Sequence, residues 1–307
     1  MTNASSTSPA ASFAGQEWRT WLLIPVVYAA WFSAAWAYRS VGPVAGSLLL
    51  VVATCWFTSL QHELIHGHPC SHRGVNRLLG LAPLAIWYPY DLYRHSHLAH
   101  HRDQLLTEPG IDPESNYVDD ATWQRLGRVL RPLWIGQRTV LGRVLLGPGM
   151  VIVPTWLDIV QRPLRGDFSQ SRSWLVHLAL AALLLLGLER LAGIGPVTYL
   201  LAICYPALGL AMLRSFYEHR PARDAAHRVV VNEAGLFWRI LYLNNNYHAV
   251  HHEQPGLPWY LLRRTYLQHR AEVLRRNGGF LVRGYLSLAR RFAMTPVDSP
   301  VHPLRAD

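Results

Sequence analysis

Long runs of uncharged, mostly apolar residues alternate along this chain with segments that are rich in Arg and His. The first run separates Arg19 from Arg39 and contains 19 residues, enough for a helix about 28 Å long. A second uncharged run, residues 40–61, follows directly. Because about 20 apolar residues in a helix cross a bilayer core, these runs predict two membrane-spanning helices at about residues 20–38 and 40–61.

A second pair of apolar runs lies at residues 173–188 and 191–213, with a short charged turn between them. These runs predict two further spans, so we expect four transmembrane helices arranged as two hairpins. Two shorter apolar stretches, residues 78–93 and 144–157, are interrupted by proline and glycine. We expect both of these stretches to lie in the membrane interface rather than to cross the bilayer.

Charge adds an orientation to this arrangement. The net charge is +10, no Lys is present, and Arg is concentrated at both ends of the chain and in the segment that links the two hairpins. By the positive-inside rule, both termini and the linking segment face the cytoplasm. We therefore expect an integral protein of a bacterial inner membrane. Since membrane anchoring accounts for the Arg excess, we expect no nucleic-acid partner.

Residues 1–16 are rich in Ser, Thr and Ala and lack the basic start of a signal peptide. We predict a disordered tail there and a single membrane domain over residues 17–307. The three Cys residues show no C-x-x-C spacing. The sequence therefore predicts neither a disulfide framework nor a metal held by sulfur.

Histidine supplies the candidate chemistry of the polar segments. The stretch Tyr93–Asp103 reads YRHSHLAHHRD. On a helix, its His97 shares a face with His100 and His101, which follow at offsets of three and four residues. The same H-x-x-H-H spacing recurs at His248, His251 and His252, and an H-x-x-x-H pair occurs at His62 and His66. Because the predicted topology places all three clusters on one membrane face, we expect them to form one shared site.

Clusters of imidazoles favour a borderline transition metal such as iron, copper or zinc over calcium or magnesium. Eight histidines exceed the needs of one ion, so the clusters predict two metal ions. His219, in RSFYEHR just after the fourth span, is a ninth candidate because it can face the three clusters. His95 falls outside the repeated pattern, and we expect it to lie near the site without binding metal.

The order of these motifs resembles that of the membrane fatty acid desaturase and hydroxylase superfamily: H-x-x-x-H, H-x-x-H-H, a pair of spans, a lone His and a second H-x-x-H-H. The resemblance extends over about residues 40–260 and includes EPGIDPES after the second box and HHEQPGLPWY at the third. It implies an all-α integral membrane protein in which four transmembrane helices carry a cytoplasmic helical cap with a His-rich dimetal site. It further implies a non-haem di-iron centre bound by nine residues, namely His62, His66, His97, His100, His101, His219, His248, His251 and His252.

A member of this superfamily is expected to be an oxidoreductase that uses O2 to oxidise a C–H bond. We expect a desaturase that introduces a double bond into a fatty acyl or related lipid chain. The alternative is a hydroxylase or ketolase of an alkyl, lipid or carotenoid substrate, because the histidine boxes do not separate these outcomes. No cytochrome, ferredoxin or flavin motif accompanies the boxes, so a separate ferredoxin- or rubredoxin-type electron donor is implied.

Several other side chains are candidates for supporting positions. We expect Glu63, Glu218 and Asn244 to orient ligand imidazoles by hydrogen bonds. For Asn244, capping of the helix that carries the third box is an alternative role. Aromatic residues near the boxes are candidates for lining a substrate tunnel, with packing in the membrane-interface belt as their alternative role. They are Trp56, Trp87, Tyr88, Tyr90 and Trp259.

Two other functions are compatible with parts of the sequence. His62–Glu63–Leu64–Ile65–His66 is a literal H-E-x-x-H, the pattern of zinc proteases, in which Glu acts as general base. An intramembrane protease would leave both H-x-x-H-H clusters without a role. A haem-binding electron carrier would need histidines within the spans, where the sequence offers His177.

Overall fold

The structure is a computed structural model that describes residues 17–102 and 105–303, and most of these residues are helical. The predicted disordered tail, residues 1–16, lies outside the described residues. The first two helices form a hairpin, with α1 at Trp18–Val41 and α2 at Pro43–Ile65. Gly42 makes the turn with φ of +85°, a conformation that favours glycine, and Pro43 begins α2 with the φ that its ring already fixes.

Four short helices follow the first hairpin, and they are labelled α3 to α6: Arg73–Gly80, Tyr90–His100, Asp120–Arg125 and Leu130–Gly136. Between α3 and α4 the chain is irregular, and its Leu84 and Ile86 are buried against α1 and α2. We predicted an interfacial position for residues 78–93. In the structure, the middle of this stretch packs against apolar helices, and two of them bind its backbone: Tyr199 and His177 donate hydrogen bonds to the carbonyls of Leu84 and Ile86. Its position relative to the bilayer stays a prediction.

Four more helices follow along the chain. They are α7 at Val140–Leu145, α8 at Gly147–Leu164, α9 at Ser171–Gly187 and α10 at Pro196–Arg214. A π-helical turn, Leu188–Ala192, extends α9, and a π-helical stretch, Tyr199–Cys204, lies within α10. Close packing joins α7 to α10, because a Cβ atom added at Gly209 would lie 2.3 Å from the carbonyl oxygen of Val144.

Five helical segments of the described residues are long and apolar enough to cross a membrane: Trp18–Val41, Pro43–Ile65, Val140–Leu164, Ser171–Ala192 and Pro196–Arg214. Four of them overlap the predicted spans. The fifth contains residues 144–157, for which we predicted an interfacial segment. Helix α8 begins with Pro148 in its first turn and continues through Pro154, although both prolines were expected to interrupt this stretch. The predicted count of four spans is therefore not confirmed by helix length and composition.

The remaining described residues form a cap on the end of the bundle where α2 and α10 terminate. Its helices are α11 to α15, at Leu236–Leu241, His248–Glu253, Trp259–Gln268, Arg270–Arg276 and Tyr285–Phe292. Two short strands, β1 at Val231–Asn232 and β2 at Leu281–Val282, pair in parallel. The all-α prediction did not include this strand pair.

Helix α4, which carries the second histidine box, is fixed at its first turn. Arg77 of α3 donates two hydrogen bonds to the carboxylate of Asp91, from Nε to Oδ1 and from Nη2 to Oδ2, both at 2.7 Å. Ser173 of α9 donates a third, at 3.0 Å. The axis of α4 is therefore tied to two neighbouring helices.

The segment after α15 contacts the loop between α4 and α5. The N–H of Val118 donates to the carbonyl of Pro300, and the N–H of His302 donates to the carbonyl of Val118, both at 2.9 Å. Nearby, Arg138 forms an ion pair with Asp298. These contacts hold the loop between α4 and α5 against the cap.

Candidate metal centre

The three histidine boxes and His219 meet at the junction of the bundle and the cap. His62 lies in the last turn of α2, and His66 follows as its C-cap residue. The second box ends α4, and the third box forms most of α12. His219 lies shortly after α10, in a turn that forms an isolated bridge with Val229. The nine predicted histidines are thus brought together by four separate parts of the chain.

Their ring nitrogens form two groups, and within each group the potential ligand atoms all lie within 4.8 Å of one another. The first group contains five residues: His62, His66, His97, His101 and His251. The second group contains four residues: His100, His219, His248 and His252. His95 belongs to neither group and is exposed.

The adjacent histidines of each H-x-x-H-H box belong to different groups. In the second box, His100 joins the group of four while His101 joins the group of five. In the third box, His251 joins the group of five while His252 joins the group of four. Successive residues of a helix differ in direction by about 100°, so a single helical turn can serve two sites.

Carboxylates hold several of these imidazoles by Nδ1. His97 Nδ1 lies 2.9 Å from Glu114, and His100 Nδ1 lies 2.8 Å from Asp112. His248 Nδ1 lies 3.2 Å from Glu218. A carboxylate accepts a hydrogen bond from Nδ1–H, and in this tautomer of the neutral imidazole Nε2 keeps its lone pair. These contacts therefore direct three Nε2 lone pairs into the centre.

Several Nε2 atoms of these histidines lie close to one another. His66 and His97 approach to 3.0 Å, His100 and His219 to 3.1 Å, and His248 and His252 to 3.0 Å. Nitrogens that share one transition-metal ion at about 2.0–2.1 Å lie about 3 Å apart when the bond angle is near 90°. In addition, Nε2 of His101 and of His251 is buried without a hydrogen-bond partner among the described residues. The donor set therefore fits two transition-metal ions.

Burial favours the neutral form of these imidazoles, which is the form that binds metal. It is the largest cause that lowers the pKa of seven of them: His66, His97, His101, His219, His248, His251 and His252. For His101, burial and the charges of His97 and His100 lower the pKa to about 2. His100 differs, because the charge of Glu114 and the hydrogen bond to Asp112 outweigh burial and raise its pKa to about 8.

The loop after α4 supplies two side chains that the sequence analysis did not assign to the site. Besides His100, Asp112 accepts hydrogen bonds from the N–H groups of Thr107 and Glu114, at 2.8 and 2.9 Å. Its carboxylate is therefore fixed by the backbone. The signal was available, since Asp112 and Glu114 both lie in the EPGIDPES segment that follows the second box.

Asn245, rather than the predicted Asn244, contacts the imidazoles. Its amide links two boxes, because Nδ2 lies 3.3 Å from His62 Nε2 and Oδ1 lies 3.2 Å from His248 Nδ1. Asn244 instead donates to the carbonyl of Trp259. Among the described residues Asn244 makes no hydrogen bond to an imidazole and does not cap α12. The choice between neighbouring amides depends on the direction of the turn before α12.

The two predicted glutamates have different surroundings. Glu218 contacts His248 and accepts a hydrogen bond from Arg214 at 2.9 Å, so it stands between the histidines and a buried cation. Burial raises the pKa of Glu218 to about 7. Glu63 accepts a hydrogen bond from the N–H of Trp259 at 3.3 Å. We predicted that Glu63 orients an imidazole, but no hydrogen bond from its carboxylate to an imidazole is seen among the described residues.

A cavity of about 300 Å³ adjoins the histidines. His62 and His219 form part of its wall, beside apolar side chains that include Leu208 and Met212. Another part of the wall is polar. It includes Asn116 and Tyr117 of the α4–α5 loop, Arg138 between α6 and α7, and Arg143 of α7. The cavity therefore offers both an apolar and a basic surface within reach of the candidate metal centre.

Of the aromatic residues predicted to line a substrate tunnel, Tyr88 lines this cavity. The other four do not: Trp56, Trp87, Tyr90 and Trp259. Tyr90 is buried in the core, Trp87 faces Tyr205, and Trp259 lines a separate surface groove. Tyr93 and Tyr117 also line the cavity, and no sequence pattern distinguishes them from aromatic residues of the membrane-interface belt.

A protein-family comparison matches the chain over residues 39–283, well over half of its length, with a family described as fatty acid desaturase. No curated protein matches the chain.

Proposed function

Since the chain belongs to the fatty acid desaturase family, we propose that it is an oxygen-dependent di-iron enzyme that introduces a double bond into a fatty acyl or related lipid chain. The arrangement of nine histidines in groups of five and four carries this proposal. Bound in these two groups, a pair of iron ions would supply the reduction of O2 and the removal of hydrogen from an unactivated C–H bond.

The protein's own residues position the substrate and exclude water. An alkyl chain in the cavity would lie against Leu208 and Met212 and next to His62 and His219. The wall of the cavity is built mainly from residues of five helices, namely α2, α4, α7, α8 and α10, and of the α4–α5 loop, which separates the oxidation from bulk water. The carboxylates of Asp112, Glu114 and Glu218 hold the ligand imidazoles in one orientation, so the site is arranged before the substrate enters.

Hydroxylation or ketolation is the alternative outcome within this family, and the same cavity is compatible with it. The two outcomes differ in the product. Desaturation removes two hydrogen atoms, whereas hydroxylation adds one oxygen atom that comes from O2.

Membranes that contain the protein, a ferredoxin with its reductase and candidate acyl substrates should be incubated under isotopically heavy O2 and analysed by mass spectrometry. A product that lacks two hydrogens and carries no heavy oxygen is expected. A product with one heavy oxygen would assign hydroxylation. Product formation that persisted in His248→Ala, with a matched exposed variant such as His95→Ala as control, would contradict the proposed centre.

The zinc-protease interpretation finds less support. Glu63, its general base, does not line the cavity and is held by the backbone of Trp259. A protease site with a single zinc ion would also leave most of the nine histidines without a role. His177, the candidate for haem binding within the spans, donates a hydrogen bond to the carbonyl of Ile86.

We further propose that four helices cross the bilayer and that α7–α8 does not. His100 and His219 lie 3.1 Å apart, yet α7–α8, α9 and α10 all lie between them in the sequence. Three crossings would put the two histidines on opposite faces. Two contacts of α8 support this proposal, because Gly147 at its start lies close to Met212 near the end of α10, and Trp156 in its middle packs edge-on against Trp174 near the start of α9.

The electron donor is proposed to be a separate ferredoxin- or rubredoxin-type protein that reaches the cap from the cytoplasm. A surface groove with three arginines, Arg239, Arg263 and Arg264, lies beside Trp259. Because the N–H of Trp259 donates to Glu63 of the first box, an acidic donor bound there would lie close to the histidines. Turnover with such a donor should fall steeply as ionic strength rises.

A further inference from the structure

Arg143 of α7 is a buried cation with an unsatisfied edge. Its side chain is fully buried, and its Nη1 donates to the amide oxygens of Asn116 and Gln137. Its Nε and Nη2 atoms are buried with no hydrogen-bond partner among residues 17–102 and 105–303. Two neutral amides thus hold the guanidinium in place, while two of its donor nitrogens find no acceptor among the described residues.

The other arginines of the cavity wall differ in this respect. Arg138 donates to the carboxylate of Asp298, and Arg214 donates to that of Glu218. The carboxylates of the α4–α5 loop are also engaged, with Glu114 at His97 and Asp112 at His100. An uncompensated buried charge is strongly unfavourable, and these carboxylates already have partners of their own.

The free edge of Arg143 has the shape of a carboxylate receptor. Nε–H and the adjacent Nη2–H of an arginine point in parallel and match the two oxygens of a carboxylate. The same pair of atoms serves this purpose elsewhere in the chain, where Nε and Nη2 of Arg77 each lie 2.7 Å from an oxygen of Asp91. At Arg143 the fork is present and the carboxylate is supplied by no described residue.

The position of Arg143 connects this fork with the metal centre. Arg143 belongs to the wall of the cavity that also contains His62 and His219. Asn116, which holds Arg143, lies two residues from Glu114, the partner of His97. A small molecule whose anionic group meets Arg143 therefore has the rest of its length inside the cavity, beside the apolar side chains and the histidines.

We propose that Arg143 binds the carboxylate of the substrate, so that the enzyme acts on a free alkanoate rather than on an acyl ester, a thioester or a hydrocarbon. This inference rests on the proposed function of the adjoining site. A carboxylate carries one negative charge and balances one guanidinium. A phosphate monoester carries about 1.5–2 negative charges at neutral pH, which would leave an excess of negative charge close to Glu114 and Glu218.

The proposal is tested by binding, without turnover. The full-length protein, isolated with its metal and placed in nanodiscs of zwitterionic lipid, is titrated calorimetrically with octanoate, octanamide and octyl phosphate. Since a hydrogen bond to a charged group contributes more than a neutral one, octanoate should bind about 10- to 100-fold more tightly than octanamide. In Arg143→Gln this preference should disappear, while octanamide should bind with nearly unchanged affinity.

Two further variants keep the test decisive. Arg143→Lys retains the charge without the fork and should retain only part of the preference for octanoate, which also covers the case in which Arg143→Gln does not fold. Arg128→Gln removes an exposed charge outside the cavity and should leave the preference intact, which controls for general attraction of anions.

The carboxylate assignment is overturned if the wild-type protein does not distinguish octanoate from octanamide, if it binds octyl phosphate more tightly than octanoate, or if Arg143→Gln or Arg143→Lys keeps the full preference. Because binding requires no O2 and no electron donor, a protein without oxygenase activity that still showed the preference would refute the proposed function alone. An active enzyme without the preference would refute the role of Arg143 alone.

Discussion

The Nδ1 atom of His100 lies 2.8 Å from Oδ1 of Asp112, and both side chains are buried. Oδ2 of the same carboxylate accepts the N–H of Thr107 at 2.8 Å. One aspartate thus fixes both a histidine of the second box and the backbone of the loop that follows it. The orientation of the His100 ring depends on a loop as much as on the helix that carries it.

We expect Asp112→Asn to weaken metal binding by about 10- to 100-fold, because the amide no longer offers two charged acceptors to His100 and Thr107. Titration with a competing chelator, followed by elemental analysis, measures this affinity. Asp120→Asn, at an exposed position of the same loop region, should bind metal as the wild type does. Equal affinities of the two variants would contradict the role of Asp112.

Neighbouring histidines of the third box should report on different ions. His252→Ala leaves its group with three histidines, whereas His251→Ala leaves the other group with four. We therefore expect the metal content to fall from about two ions per chain to about one in His252→Ala and to stay closer to two in His251→Ala. The measurement is elemental analysis of purified protein against its amino-acid content. Identical losses in both variants would show that the box serves one ion.

The predicted path of α8 can be tested by labelling single cysteines from one side of the membrane. In a variant that lacks Cys55, Cys70 and Cys204, we expect cysteines at positions 128 and 169, which flank α7–α8, to react with an impermeant maleimide from the same face. A cysteine at position 190, in the turn between α9 and α10, should react from the opposite face. Labelling of positions 128 and 169 from opposite faces would mean that α7–α8 crosses the bilayer.

The contact between Arg77 and Asp91 should make stability depend on acid pH. Burial alone would raise the pKa of Asp91, but hydrogen bonds from Arg77 and Ser173 outweigh it and lower the pKa below the ordinary aspartate value. A carboxylate with a lowered folded-state pKa stabilises the protein above its unfolded-state pKa, and this stabilisation is lost as the pH falls through the folded-state pKa.

We expect Asp91→Asn to be less stable than the wild type by about 1 kcal/mol near neutral pH, since the pair is partly exposed to solvent. The difference should shrink below about pH 4, where the carboxylate of the wild type becomes protonated. Thermal unfolding in detergent at a series of pH values measures it. A difference that stayed constant down to pH 3 would contradict the role of the charge.

The spacing of the histidines predicted their meeting point because offsets of three and four residues fix a helical face locally. The division of each box between two groups follows from the same geometry. The partners of the imidazoles were harder to predict, since the approach of Asp112 to His100 depends on a loop that reverses direction near Thr107, whose φ is +74°. Asn245 was missed because neighbouring amides are equivalent in sequence and differ only after the turn has formed.

The length of an apolar run did not settle the position of α8. Residues 140–164 are as apolar as a span, and composition alone does not tell whether a helix crosses the membrane or returns to the face it came from. That information lies in contacts such as the approach of Gly147 to Met212, which join residues far apart in sequence. The sequence could not predict that Arg143 lacks a carboxylate partner among the described residues, for the same reason. Asp298 forms its hydrogen bond with Arg138 instead, and these two residues are 160 positions apart in the chain.

The pairing of Val118 with Val301 also sets an order of events during synthesis. All nine histidines, the last of them His252, are translated before the ribosome reaches the residues that hold the α4–α5 loop against the cap. Until residue 302 has left the ribosome, the loop that carries Asp112 and Glu114 lacks its outer support. The nascent protein therefore has a period in which all nine histidines have been made while this support of the loop is still missing.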